Sequence, residues 1–153
     1  LINVPEDKLE TVGDWLSAHS EDPKIKKRFP EVILRHGTTD PLLAYRWSTE
    51  IRDANRRLET ISRLFSIMSY DKPNVLVDLV EDHQTLKELE RFQNEAVWSQ
   101  SHSFVDETIA RYVQSSISDD LEVARKSANA IQDETLRLNV LLEIENFEKG
   151  TTD

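Results

Sequence analysis

One stretch constrains this chain more than any other: Asp40–Phe65, DPLLAYRWSTEIRDANRRLETISRLF, much of which recurs 80 residues later. Sliding it by that interval sets Ala44 on Ala124, Ile51 on Ile131, Asp53 on Asp133, Arg57 on Arg137 and Leu58 on Leu138. Ile61 and Leu64 fall on apolar Leu141 and Ile144, so a linker and the apolar faces beside it return together. A pattern that repeats its linker and its packing residues in step predicts helical repeats. It specifies packing and names neither a partner nor a reaction.

Composition agrees with helices. Three glycines and five prolines leave little material for hairpin turns, while leucine, glutamate, alanine, arginine and lysine, all good helix formers, abound. At 153 residues the chain is long enough for one real core, and the reading is a single helical-repeat domain over 1–149 with a frayed tail at 150–153. No apolar run approaches the roughly 20 residues needed to span a bilayer. The expectation is a soluble protein, cytoplasmic or extracytoplasmic. Absence of cysteine excludes disulfides and thiolate metal sites but does not fix the compartment. Leu1 in place of Met fits a piece of a longer protein, which keeps open an accessory or sensory domain whose chemistry lies elsewhere.

Helix starts follow in order. Pro5-Glu6-Asp7 opens helix one, with Leu9, Val12, Trp15 and Leu16 at helical spacing. Asp22-Pro23 opens helix two, which Gly37 stops and Pro30 is expected to kink or split. Asp40-Pro41 opens helix three, with small Ala44 admitting a close neighbour, and Asp53 or Asn55 caps helix four. Asp71-Lys72-Pro73 opens helix five and Glu81-Asp82 marks the junction to helix six. Ser103, with Asp106 three residues on, caps helix seven; Ser118 or Asp119 begins helix eight; Asp133 caps helix nine, which runs to about Glu148. Trp15, Trp47 and Leu79 stand 32 residues apart in succession, near the ~34-residue tetratricopeptide period, and helix seven interrupts that spacing.

The fold class that follows is all-α, with antiparallel helical hairpins stacked as a short right-handed α-solenoid of about nine helices. The Asp-Pro, Ala, Ile, Asp, Arg, Leu pattern of Asp40–Phe65 and Asp120–Ile144 resembles divergent tetratricopeptide-like or HEAT-like hairpins of uncharacterised bacterial proteins. The tetratricopeptide Leu-Gly pair is missing after Trp47, where Ser48, Thr49 and Glu50 follow. The resemblance implies a scaffold whose concave face binds another protein or a peptide.

Charge is uneven. Through Phe65 there are 11 Lys and Arg against 11 Asp and Glu; from Ser66 onward there are 8 against 18. That excess opposes nucleic acid as a partner and favours a solvated acidic face or a basic partner. The cluster Lys24, Lys26, Lys27, Arg28 and Arg35, with Phe29 beside it and extended by Arg46, Arg52, Arg56, Arg57 and Arg63, is the best sequence case for an anionic ligand, and it supports a nucleic-acid regulator as a further alternative. No phosphate loop, GxSxG elbow or HExxH motif is present, so no catalytic residue, cofactor or metal is expected. His102 and Asp106 share a face at i, i+4 without a third ligand. Asp53 with Arg57, and Asp133 with Arg137, read as a cap and a residue one turn on. Trp15 and Trp47 fall on buried stripes and read as core; Tyr45 lies off the stripe and is expected at the surface. The candidate partner-binding residues are Tyr45, Arg52, Arg56, Trp98, His102 and Tyr112, with the irregular region Trp98–Val113 the place to look for function.

Overall fold

The computed structural model describes residues 5–97 and 102–151. Among the described residues there are nine α-helices, one short 3-10 turn and no strand, so the all-α expectation holds. The chain divides into two compact units, Leu1–Met68 and Ser69–Asp153. The charge divide falls at the same place: Ser66, Ile67 and Met68 carry no charge, so the first unit balances 11 against 11 and the second holds the whole excess of acids.

The first unit contains the 3-10 turn Glu6–Lys8, α1 (Leu9–Ala18), α2 (Pro23–His36), α3 (Pro41–Thr49) and most of α4 (Ala54–Asp71). Asp22 caps α2 by accepting from the Lys24 N–H at 2.8 Å. Asp40 caps α3 through the Leu43 N–H at 3.0 Å, and Asp53 accepts from the Arg56 N–H at 2.9 Å at the start of α4. Each cap satisfies a donor that the first turn leaves without an intrahelical partner. The core is built from Phe29, Ile33, Trp47, Leu58, Ile61, Leu64 and Phe65, all buried to 2% exposure or less. Ala44, fully buried, is the small contact residue anticipated from its size.

The expectations for Pro30 and Trp15 need correction in this unit. Pro30 does not split α2, which runs unbroken to His36. A proline removes the N–H that would have bonded the carbonyl four residues back, here Lys26; the Arg56 guanidinium donates to that carbonyl at 2.7 Å instead and restores the missing bond. Gly37 follows the last residue of α2 as its C-cap, the stop expected of it, with φ −58° rather than a left-handed turn. Its missing side chain makes room for Leu64, whose Cδ1 would lie 2.4 Å from an added Cβ. Trp15 is 53% exposed and stacks on His19 with ring centroids 4.3 Å apart. The α1–α3 contact is already filled by the Trp47 indole lying over Gly13, which leaves no room there for a second one.

The second unit contains α5 (Pro73–Glu81), α6 (His83–Glu95), α7 (Phe104–Ser116), α8 (Leu121–Ala128) and α9 (Glu134–Thr151). Asp82 caps α6 through the Thr85 N–H at 2.8 Å, and Ser103 caps α7 through the Asp106 N–H at 3.0 Å. Asp120, rather than Ser118 or Asp119, caps α8, accepting from the Glu122 and Val123 N–H groups at 3.0 and 3.1 Å. Asp119 stands one residue too early, and the N–H groups of both Asp119 and Asp120 bond to the Ser116 carbonyl, at 3.0 and 3.1 Å. α7 lies against α5, α6, α8 and α9. Ile109, Val113, Ala124, Ala128, Ile131, Val140 and Ile144 make one buried cluster from α7, α8, α9 and the turn between the last two. α9 runs on through Gly150 to Thr151, past the stop anticipated near Glu148. No described helix is long and apolar enough to cross a membrane.

Candidate functional site

The stretches that match in sequence also make the same local contacts. Asp40 and Asp120 cap α3 and α8; Ala44 and Ala124 are fully buried; Asp53 and Asp133 accept the first-turn N–H of Arg56 and Leu136 at 2.9 and 2.8 Å. Arg57 donates to the Ile51 carbonyl at 2.9 Å and Arg137 to the Ile131 carbonyl at 3.0 Å. The recurring aspartates and arginines therefore hold the α3–α4 and α8–α9 turns, the structural role anticipated for them.

At the joint between the preceding helix and that turn, the two units diverge. In the first, Arg56 on α4 reaches the Lys26 carbonyl of α2, and Arg52 Nε lies 3.5 Å from Glu21 beside a small recess lined by Lys26, Phe29, Ile51 and Asp53. In the second, position 106, which matches Lys26, is aspartate. Its buried carboxylate accepts from the Gln132 and Asp133 N–H groups, both at 2.9 Å. The joint is held by a cation in one unit and by an anion in the other. Beside Asp106 opens a polar cleft of about 220 Å³ lined by Glu90, Gln93, Asn94, Ser103 and Gln132. Gln93 Oε1 accepts the Phe104 N–H at 2.8 Å, so part of that lining is committed to starting α7.

His102 pairs with a different acid from the one its spacing suggested. Its Nδ1 is 3.3 Å from Asp133 Oδ2, because Asp106 is turned into the α8–α9 turn. The Leu136 N–H and then His102 hold the Asp133 carboxyl below its ordinary value of 3.8. Asp53 is lowered by the Arg56 N–H and by Lys26 and Arg56, and Asp82 by the Thr85 hydroxyl and N–H. A lowered carboxyl contributes stability that is complete above the unfolded-state value and is lost as pH falls through the folded one. Thermal melts should be flat at neutral pH and drop below about pH 4. Asp133→Asn should make that acid slope shallower; an unchanged slope would remove Asp133 from the account.

The remaining candidates separate by burial. Tyr45 is 8% exposed and stacked on Phe65, with centroids 5.8 Å apart. It is not a surface residue, because α3 is covered on more than one side: Pro41, Ala44, Tyr45, Trp47 and Ser48 are all buried. Tyr112 is 2% exposed; burial, then Glu81, raises its phenol, while Ser127 and Ser116 hydrogen-bond it, so its ring is core and offers no surface to a partner. Trp98 lies outside the described residues. Arg52 is exposed, and Arg56 is occupied in mending α2.

What sequence reasoning passed over is the outer face of α9. The helix buries Val140 and Ile144 and half-buries Leu136, Leu141 and Phe147. Gln114 donates to Glu143 at 3.0 Å, and an Arg125–Glu148 ion pair holds its far end. On the opposite face, Leu138 and Leu142 stand 57% and 53% exposed, one turn apart. Leu138 matches Leu58, which is only 2% exposed in the first unit. The signal was available: α9 carries apolar residues around most of its circumference, more than a helix covered on one side can bury. Compared with family models, curated proteins and solved structures, the chain matches none.

Proposed function

We propose that this chain is a non-enzymatic helical-repeat module, its hairpins stacked as a short right-handed α-solenoid of the tetratricopeptide-like or HEAT-like kind, that holds a protein or peptide partner. Support for the repeat is local: the same caps, the same buried alanine and the same arginine-to-carbonyl bond occur 80 residues apart. Support for binding rests on one observation, the exposed Leu138–Leu142 pair on α9, at a position where the matching Leu58 is buried. An apolar pair opposite a well-anchored face lowers its free energy by being covered. The acid excess of the second unit disfavours nucleic acid as the partner.

Affinity capture of the full chain from its native cells tests the reading. One protein should co-purify in stoichiometric amount. No co-purifying protein, together with turnover of a small molecule by the purified chain, would replace the module with an enzyme.

A further inference from the structure

Resting on the binding reading above, we infer the chemistry of the partner: a basic amphipathic helix that lays its apolar stripe along Leu138 and Leu142 of α9. Two leucines at i, i+4 form the ridge that a facing helix accepts in its groove. On the same stripe, Glu134 lies one turn before Leu138 and Glu145 one turn after Leu142, both exposed, and Lys149 follows a turn further on. The apolar pair is thus bracketed by acids, in a unit carrying 18 acidic against 8 basic residues. Leucine on the inner line with lysine or arginine at both ends is the complement of that arrangement.

The same charges argue against a second copy. Antiparallel pairing of two α9 helices sets Glu134 against Glu145, and parallel pairing sets each acid near its own counterpart. Either way acids face acids at the ends of the contact. A basic partner removes that repulsion.

The test uses the full chain and a labelled amphipathic helix of leucine and lysine, read by fluorescence anisotropy. A scrambled peptide of the same composition and a version with glutamate in place of lysine serve as controls. Leu138→Ser and Leu142→Ser should each weaken binding about tenfold or more. Their melting should fall by no more than a few degrees, since both side chains are more than half exposed. Glu134→Lys with Glu145→Lys should reverse the preference toward the glutamate peptide. Three results would overturn the inference: no binding, equal binding of the scrambled peptide, or binding untouched by the leucine substitutions. Sedimentation showing a dimer that Leu138→Ser converts to monomer would also overturn it, by assigning the face to a second copy. A captured partner that cross-links away from α9 would leave the module reading standing and remove only this docking face.

Discussion

Replacing Asp106 with alanine should destabilise the second unit by about 3 kcal/mol, the cost of removing a charged acceptor from two part-buried backbone donors. The carboxylate is 3% exposed, and each oxygen takes one N–H, from Gln132 and Asp133, both at 2.9 Å. Those donors sit in the turn that leads into α9, where no intrahelical carbonyl reaches them. Asp106 belongs to the first turn of α7, and its own N–H is held by Ser103 at 3.0 Å, so one side chain ties the start of α7 to the α8–α9 turn. Asparagine is not a neutral substitute. It keeps one acceptor but turns an N–H₂ toward a backbone N–H, and most of the loss should remain. Urea unfolding reads the effect as a fall in midpoint at unchanged slope. The polar cleft beside Asp106 could admit a water to the orphaned donors, which sets the lower end of the expected loss. A change under about 0.5 kcal/mol, the size of an ordinary surface substitution, would mean the turn does not depend on this carboxylate.

The helix starts were legible because their causes are local. Asp22, Asp40, Asp53, Asp82, Ser103 and Asp133 each bond an N–H two or three residues on, which is a matter of spacing alone. The errors concern what covers a helix. A single stripe through Ala44 and Trp47 puts Tyr45 outside, whereas α3 is short and enclosed on more than one side. The 32-residue spacing shared with Trp47 and Leu79 predicts a buried Trp15, yet Trp47 occupies the space it would need. Two joints could not be read at all. Arg56 mends the carbonyl freed by Pro30 across 30 residues of sequence, and Asp106 reaches its two donors across 26 and 27. Each pairs a side chain with backbone, and backbone groups leave no trace in composition or periodicity. The sequence offers Asp106 as the residue three on from the Ser103 cap and as a neighbour of His102, neither of which points to the α8–α9 turn, and the acid His102 does meet is Asp133.

Function was the least legible part, for a related reason. Residues that serve the turns, such as Asp53, Arg57, Asp133 and Arg137, recur and attract attention, while the exposed leucines of α9 look like any other apolar helix residues until their burial is known. The contrast between Leu58 and Leu138 carries the information: one amino acid at matching places, covered in one unit and open in the other.

Gly13→Ala is the second large effect, and its sign runs against the usual rule. In the interior of a helix this substitution ordinarily stabilises by about 1 kcal/mol, by restricting the unfolded chain and improving helix propensity. Here an added Cβ would stand 1.8 Å from Trp47 Cζ2 and 2.2 Å from Cε2 and Cη2. The indole cannot move aside easily. It is fully buried, its Nε1 donates at 3.0 Å to Asp14, the residue beside Gly13, and the His36 ring stacks on it at 5.2 Å between centroids. Overpacking of this kind costs about 1–3 kcal/mol and occasionally more, and a contact this short against a clamped ring belongs at the upper end. Net destabilisation of about 2 kcal/mol should remain after the propensity gain is subtracted. A double-mutant cycle identifies the cause. In a Trp47→Leu background, already weakened by the lost indole, adding Gly13→Ala should cost far less, because the methyl then enters space the ring has vacated. Equal costs in the two backgrounds would mean that the penalty arises elsewhere, and that α1 and α3 do not meet through this glycine.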